Sequence, residues 1–304
     1  MRTTLLCLAL CAGLSLSCAA YAQTAPVASA CESSATGDLR VHRLTSRIFG
    51  NERNIRVLLP AGYDDPANQD RRYPVLYMLD GQNVFDACLS EVSKHEWGLD
   101  EAVQQLVADR KIPPLIAVGV DHAGKDRGHE YLPYKDFDDA DMAEPAGKQF
   151  PDFMTQEVMP LVDGRYRTLA GRPNTGIGGS SYGGVASLYA LLAKPNTFGY
   201  GLIESPVLAV GMGQLVRDTS PLIAMPEKVF LAFGGKEAGD PAVSERLIDL
   251  VRLVETNFRA AGFDESNFRV VVEADAMHTE AAWEKRLPGA LTFLFGEWKP
   301  QPAR

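Results

Sequence analysis

Short apolar runs recur along the chain, each closed by a polar or glycine-rich turn, and segments of helical periodicity lie between them. Residues 73–79, 115–120, 229–233 and 268–273 read as strands, and 115–120 is apolar throughout, the mark of a strand buried on both faces. Leu99, Val103, Leu106 and Val107 repeat at helical spacing, as do Leu247, Leu250, Val251, Val254 and Phe258 before the stop at Ala261-Gly262. Residues 41–49 and 54–59 alternate like edge strands joined by Gly50-Asn51-Glu52-Arg53, a hairpin signal. Alternating strands and helices predict an α/β chain with a mostly parallel central sheet and helices on both faces. The pattern predicts one domain over 37–298, with a flexible tail at 23–36 before it and a short tail at 299–304 after it.

Within this alternation, Gly176-Ile177-Gly178-Gly179-Ser180-Ser181-Tyr182-Gly183-Gly184 places a serine in the pattern G-x-S-x-G. A strand-like run over 175–179 leads into it, and Val185, Leu188, Tyr189, Leu191 and Leu192 follow at helical spacing. Strand, sharp turn and helix in that order form a nucleophile elbow, whose strained central residue needs small neighbours, here Gly179 and Gly183 around Ser181. Ser180 is the competing serine, but Tyr182 is too bulky for its tight side.

A serine hydroxyl attacks at neutral pH only when a base takes its proton. Of five histidines, His278 lies in the polar loop after the last strand-like run and before the amphipathic segment 280–295, which is the expected place. His42 and His95 lie far upstream, and His122 and His129 follow an earlier strand, better placed to line a pocket than to act as the base. The acid that orients the imidazole should follow the strand at 229–233. Glu237 is the first choice, Asp240 the alternative and Asp275 a weaker third. For an oxyanion hole, one backbone amide should come from Tyr182, after the nucleophile, and the other from Gln82, in the turn Asp80-Gly81-Gln82-Asn83. Asp80, in the oxyanion turn, and Arg127, His129 and Tyr131, in the loop after residue 120 that should face the site, are candidate substrate contacts. Trp97 and Trp283 read as core residues.

These residues carry a resemblance to a known family. Leu76-Tyr77-Met78-Leu79-Asp80-Gly81-Gln82-Asn83-Val84-Phe85-Asp86, Trp97-Gly98-Leu99-Asp100-Glu101-Ala102, the run at 113–120, Glu130-Tyr131-Leu132-Pro133-Tyr134, Gly179-Ser180-Ser181-Tyr182-Gly183-Gly184 and His278 with Ala281-Ala282-Trp283 span most of the chain. Together they resemble the Putative esterase branch of the α/β-hydrolases, which includes enterochelin (siderophore), feruloyl and acetylxylan esterases, esterase D and mycolyltransferases. The resemblance implies an α/β-hydrolase fold and a serine esterase working through an acyl-serine intermediate without a metal or organic cofactor. Siderophore esters and feruloyl or acetyl sugar esters are the candidate substrates it implies. An acyltransferase using the same triad with a non-water acceptor, or a non-catalytic ligand-binding member of the fold, are the alternatives.

Composition narrows the partners. With 304 residues, 46% hydrophobic, the chain can bury one large core, and a formal charge of −9 makes nucleic acid an unsuitable partner. No H-E-x-x-H or paired C-x-x-C suggests a metal site. Arg2, the apolar stretch 5–16 and Ala20-Tyr21-Ala22 read as a signal peptide over 1–22, predicting export to the periplasm or beyond with no membrane insertion after cleavage. Lipid anchoring at Cys18 is the less favoured alternative, since serine stands where that signal prefers an aliphatic residue. Cleavage after Ala22 leaves Cys31 and Cys88, which pair or remain thiols; sequence does not decide between these, nor does it give an oligomeric state.

Overall fold

The apolar runs fold as strands whose successive side chains face opposite ways. The computed structural model describes residues 31–91, 94–137, 144–220, 222 and 226–299. The expected leader, Cys18, the first part of the tail and residues 300–304 lie outside them. Contacts divide the chain into Met1–Glu32 and Ser33–Arg304, and of the first unit only Cys31 and Glu32 are described. Cys31 and Cys88 are both disulfide-bonded.

The described strands are β1 (Asp38–Thr45), β2 (Glu52–Leu59), β3 (Val75–Leu79), β4 (Ile116–Val120), β5 (Thr175–Ser180), β6 (Tyr200–Glu204), β7 (Lys228–Gly234) and β8 (Phe268–Glu273). They form one sheet in the order β1-β2-β4-β3-β5-β6-β7-β8, antiparallel at β1-β2 and β2-β4 and parallel elsewhere. The helices are α1 (Leu99–Ala108), α2 (Arg127–Tyr131), α3 (Phe150–Phe153), α4 (Met159–Asp163), α5 (Tyr182–Ala193), α6 (Val210–Asp218), α7 (Pro241–Ala260) and α8 (Glu280–Phe295).

Two cores follow from the strand alternation. Val75, Tyr77, Leu79, Ile116, Val118 and Ile177 face one way and pack with Val185 and Leu188 of α5 and Val251 and Val254 of α7. Leu76, Met78, Ala117, Leu202 and Phe230 face the other way, against Leu99 and Val103 of α1 and Trp283, Leu287 and Leu291 of α8. Each fully buried side chain of this size contributes about 1.5–3 kcal/mol, so the apolar period is enough to fix which helix covers which face.

Several elements differ from the sequence reading. Only β1 is an edge strand of the expected pair; β2 also pairs with β4, through Ile55 opposite Val120, because Ile55, Val57, Leu58 and Leu59 are all buried. β6 was not anticipated: Tyr200-Gly201-Leu202-Ile203-Glu204 is short, carries a glycine and ends on an acid, and its neighbours β5 and β7 make it a strand. The helical stretch from α3 to α4 and helix α6 were likewise unassigned.

Candidate active site

In the parallel part of the sheet, β3, β5, β6, β7 and β8 lie side by side, so the loops after them open on one edge, where α/β sheets place their ligands. Ser181 stands between β5 and α5 with φ 57° and ψ −125°. Such a conformation costs a non-glycine residue about 1–3 kcal/mol and persists only when its surroundings fix it. Here the Ser181 amide donates to the Glu204 carbonyl at 3.1 Å, and the Ser181 carbonyl accepts from the Val185 amide at 3.1 Å. Glycine is required beside it, since a Cβ on Gly183 would sit 2.8 Å from Asp80 Oδ2.

His278 lies in the loop between β8 and α8, and its Nδ1 is 2.9 Å from Oε2 of Glu237, in the loop after β7. The carboxylate oxygens accept, so Nδ1 carries the proton and Nε2 is left as the basic nitrogen. Glu237 is nearly inaccessible, 3% exposed. Its other oxygen, Oε1, accepts from the Gly234 amide at 2.6 Å and from the Ser205 hydroxyl. Ser205 Oγ in turn accepts from Trp283 Nε1 at 2.9 Å. The Trp283 ring stands edge-on to the His278 imidazole, centroids 5.2 Å apart.

Of the alternative acids, Asp240 caps α7 by accepting from the Ala242 amide at 2.7 Å. Asp275 is exposed and pairs with Lys236 at 2.6 Å. Neither is bonded to the imidazole.

Ser181 and His278 line one cleft of about 300 Å³, together with Asp80, Asn83, Glu91, His122, Arg127, Glu280 and Trp283. Its floor is set by the turn after β3. Asp80 is left-handed, φ 59°, and a Cβ on Gly81 would fall 2.5 Å from the Gly119 backbone, so the turn lies directly on β4. Gln82 follows, its side chain buried and its Oε1 accepting from the His122 amide at 3.3 Å. Tyr182 opens α5, in the first turn whose amides have no acceptor within the helix, and its hydroxyl donates to Asp136 at 2.7 Å.

Arg127 grips Asp80 with two parallel bonds, Nε to Oδ1 at 2.7 Å and Nη2 to Oδ2 at 2.8 Å. Burial opposes the arginine's charge, but Asp80 outweighs it and raises the guanidinium above its ordinary range. Two expected substrate contacts are corrected. Tyr131 is fully buried, its hydroxyl accepting from the Asp80 amide at 3.2 Å, so it supports the turn from below. His129 lines a separate cavity with Phe49, Asn51 and Glu130. His122, by contrast, does line the cleft, its Nε2 3.2 Å from Glu91. Trp283 is both core and cleft wall, whereas Trp97 packs behind it with ring centroids 5.5 Å apart.

Sequence reading missed Ser205, and with it the buried ion pair of Glu204 with Arg286, 2.7 Å. The signal of Ser205 and Glu204 was hidden with β6, the strand that brings them to the elbow. Among the described residues, one group of side chains could hold a metal: Glu96, Asp100 and Glu101, with ligand atoms within 4.8 Å of one another. None lines the cleft. Burial, with the adjacent Asp100, pushes the Glu101 carboxyl up to about 7, so a proton can hold these acids together near neutrality.

Residues 46–294 match the family described as Putative esterase. The chain belongs to that family. It is a carboxylic ester hydrolase with the α/β-hydrolase fold. It is 24% identical over 272 residues to an endo-1,4-beta-xylanase/feruloyl esterase of Xylanibacter ruminicola, a match covering 85% of this esterase and 31% of that protein. Among solved structures it resembles an IroE-like serine hydrolase from Shewanella oneidensis, TM-score 0.70 at 20% identity over 87% of this esterase and 82% of that chain. It also resembles the siderophore hydrolase EstB from Aspergillus nidulans, TM-score 0.64 at 18% identity over 89% and 98% of the two chains. At those identities the structural likeness speaks to the fold.

Proposed function

We propose that this esterase works through an acyl-serine intermediate, with Ser181 as nucleophile, His278 as general base and Glu237 orienting the imidazole. The observation that carries this reading is Ser181 on a strained elbow, sharing one cleft with an imidazole whose far nitrogen is held by a buried carboxylate. His278 Nε2 takes the hydroxyl proton as Oγ attacks the ester carbonyl, and returns it to the departing alcohol. The Gln82 and Tyr182 amides receive the oxyanion, each worth about 3–4 kcal/mol of transition-state stabilisation. Water, activated by the same imidazole, then releases the acyl group.

The cleft's charge bears on the substrate. Asp80, Glu91 and Glu280 face it against one guanidinium, Arg127, which Asp80 already engages. At an effective dielectric of about 20, two like charges roughly 6 Å apart repel by about 3 kcal/mol. An uncharged ester, such as a feruloyl or acetyl sugar ester, therefore suits the site better than a polyanionic ferric catecholate complex. Export of the enzyme is supported by the leader-like pattern of residues 1–22 and by the disulfide bonding of Cys31 and Cys88, which persists in oxidising compartments.

Hydrolysis of p-nitrophenyl acetate by the wild type and by Ser181→Ala or His278→Ala tests the mechanism. Turnover should be lost in both variants with the melting temperature unchanged, and near-wild-type activity in Ser181→Ala would overturn it. Matched neutral and hemisuccinate esters test the charge argument. The neutral ester should have the higher kcat/KM by tenfold or more, and equal values would remove the preference.

A further inference from the structure

Two side chains outside the triad, Trp283 and Ser205, lead to its acid in a chain of hydrogen bonds. Ser205 is fully buried and left-handed, φ 44°, and its amide donates to the Ala232 carbonyl at 2.8 Å, which pins it to β7. Its hydroxyl proton has one direction to take. Trp283 Nε1 is a donor only, so Oγ must accept from it, and the hydroxyl is then free to donate to Glu237 Oε1. Glu237 thus receives three donors: the Ser205 hydroxyl, the Gly234 amide and His278 Nδ1. The same indole walls the imidazole edge-on. The residue before Ser205 supplies the carbonyl that accepts from the Ser181 amide, so adjacent residues at the end of β6 hold both the nucleophile and the acid.

Resting on the serine-esterase reading, we propose that Ser205 and Trp283 are positioning residues: a Trp283–Ser205–Glu237 hydrogen-bond relay fixes the acid's rotamer and sets how strongly it supports a proton on His278. A buried carboxylate that loses a donor is less well neutralised by the protein and draws more on the imidazolium. Losing the Ser205 hydroxyl therefore stabilises the charged imidazole, which makes it a base at the wrong pH, and frees the acid to leave its rotamer. Glu204 and Arg286, bonded to each other, lie in electrostatic reach of Glu237, with Glu273 on the far side of Arg286, and Asp80, Glu91, His122, Arg127 and Glu280 line the cleft with His278. None of them is altered by the substitutions below.

The test is a double-mutant cycle on p-nitrophenyl acetate hydrolysis, with kcat, KM and the pH profile of kcat/KM measured for Ser205→Ala, Trp283→Phe and the double variant. Ser205→Ala should lower kcat at least tenfold with KM within about twofold, and move the acid limb of the profile to higher pH. Trp283→Phe keeps an aromatic ring against His278 but removes the N–H together with part of the indole, so it should lower kcat less than Ser205→Ala, and it should add almost nothing to kcat in the Ser205→Ala background. A Ser205→Ala enzyme with wild-type kcat and an unmoved acid limb overturns the relay, as does a Trp283→Phe effect of the same size in both backgrounds. If Ser205→Ala fails to fold, Ser205→Cys, which keeps only a weak donor, should lower kcat below wild type with KM within about twofold, and wild-type kcat in both Ser205→Cys and Trp283→Phe then overturns the proposal. Reaction of the wild-type enzyme with a fluorophosphonate at Ser181 separates failure of the relay from failure of the serine-esterase reading.

Discussion

Glu237 and Asp240 stand in one loop, yet only Glu237 turns its carboxylate to an imidazole. Asp240 spends its side chain on the first turn of α7, where an N-cap is worth about 1 kcal/mol. The two variants should therefore separate cleanly. Glu237→Gln should cost roughly two to four orders of magnitude in kcat, by loss of the imidazole's tautomer and charge partner, at near-constant stability. Asp240→Ala should leave kcat intact and lower the unfolding free energy by about 1 kcal/mol in a urea titration. Reversed roles would show as the opposite pattern. Chain order and flanking glycines single out Ser181 and His278 as candidates in the sequence. They rank Glu237 first among the acids but leave Asp240 open, because the choice depends on the backbone of a glycine-rich loop whose dihedrals no local pattern fixes. The same holds for the loop after β4. It folds as the short helix α2, so Arg127 and Tyr131, four residues apart, share a face toward Asp80 while His129 points elsewhere.

At the scale of elements, the turn after β3 and helix α2 are locked by the Asp80–Arg127 pair, with side chains 6% and 24% exposed. Arg127→Met would strand a buried carboxylate beside the elbow. It should destabilise the protein by up to about 3 kcal/mol, less than for a fully buried pair because the guanidinium is partly wet. Adding Asp80→Asn should restore much of that loss, and thermal melts of the single and double variants check it. Gly81→Ala should also destabilise, since its methyl would meet the β4 backbone at 2.5 Å. Overpacking of this kind costs about 1–3 kcal/mol or displaces the turn, and esterase activity should fall with it. The strands of the central sheet were readable as continuous apolar runs, but β6 was not. Five residues with a glycine and a terminal acid carry only a weak strand signal of their own, from Tyr200 and Ile203. Pairing on both sides makes them one, and the residues that brace the site went unseen with it.

For the whole molecule, the buried pair of Glu204 and Arg286 couples α8 to the sheet beneath the site. Burial pushes the Glu204 carboxyl up to about 7, although Arg286 pulls it down. A carboxyl raised in the folded state binds a proton that the unfolded chain has already released. Its contribution to stability is therefore full below the unfolded value, near 4.5, and is lost as pH rises through about 7. The melting temperature of the wild type minus that of Glu204→Gln should accordingly fall from pH 5 to pH 8, and a constant difference would contradict it. The measurement that bears most directly on the central claim is intact-protein mass after reaction with a fluorophosphonate, followed by peptide mapping. One adduct should form on Ser181, be absent from Ser181→Ala and form far more slowly on His278→Ala. A wild-type protein that stays unmodified, or carries its adduct on another residue, would contradict the account.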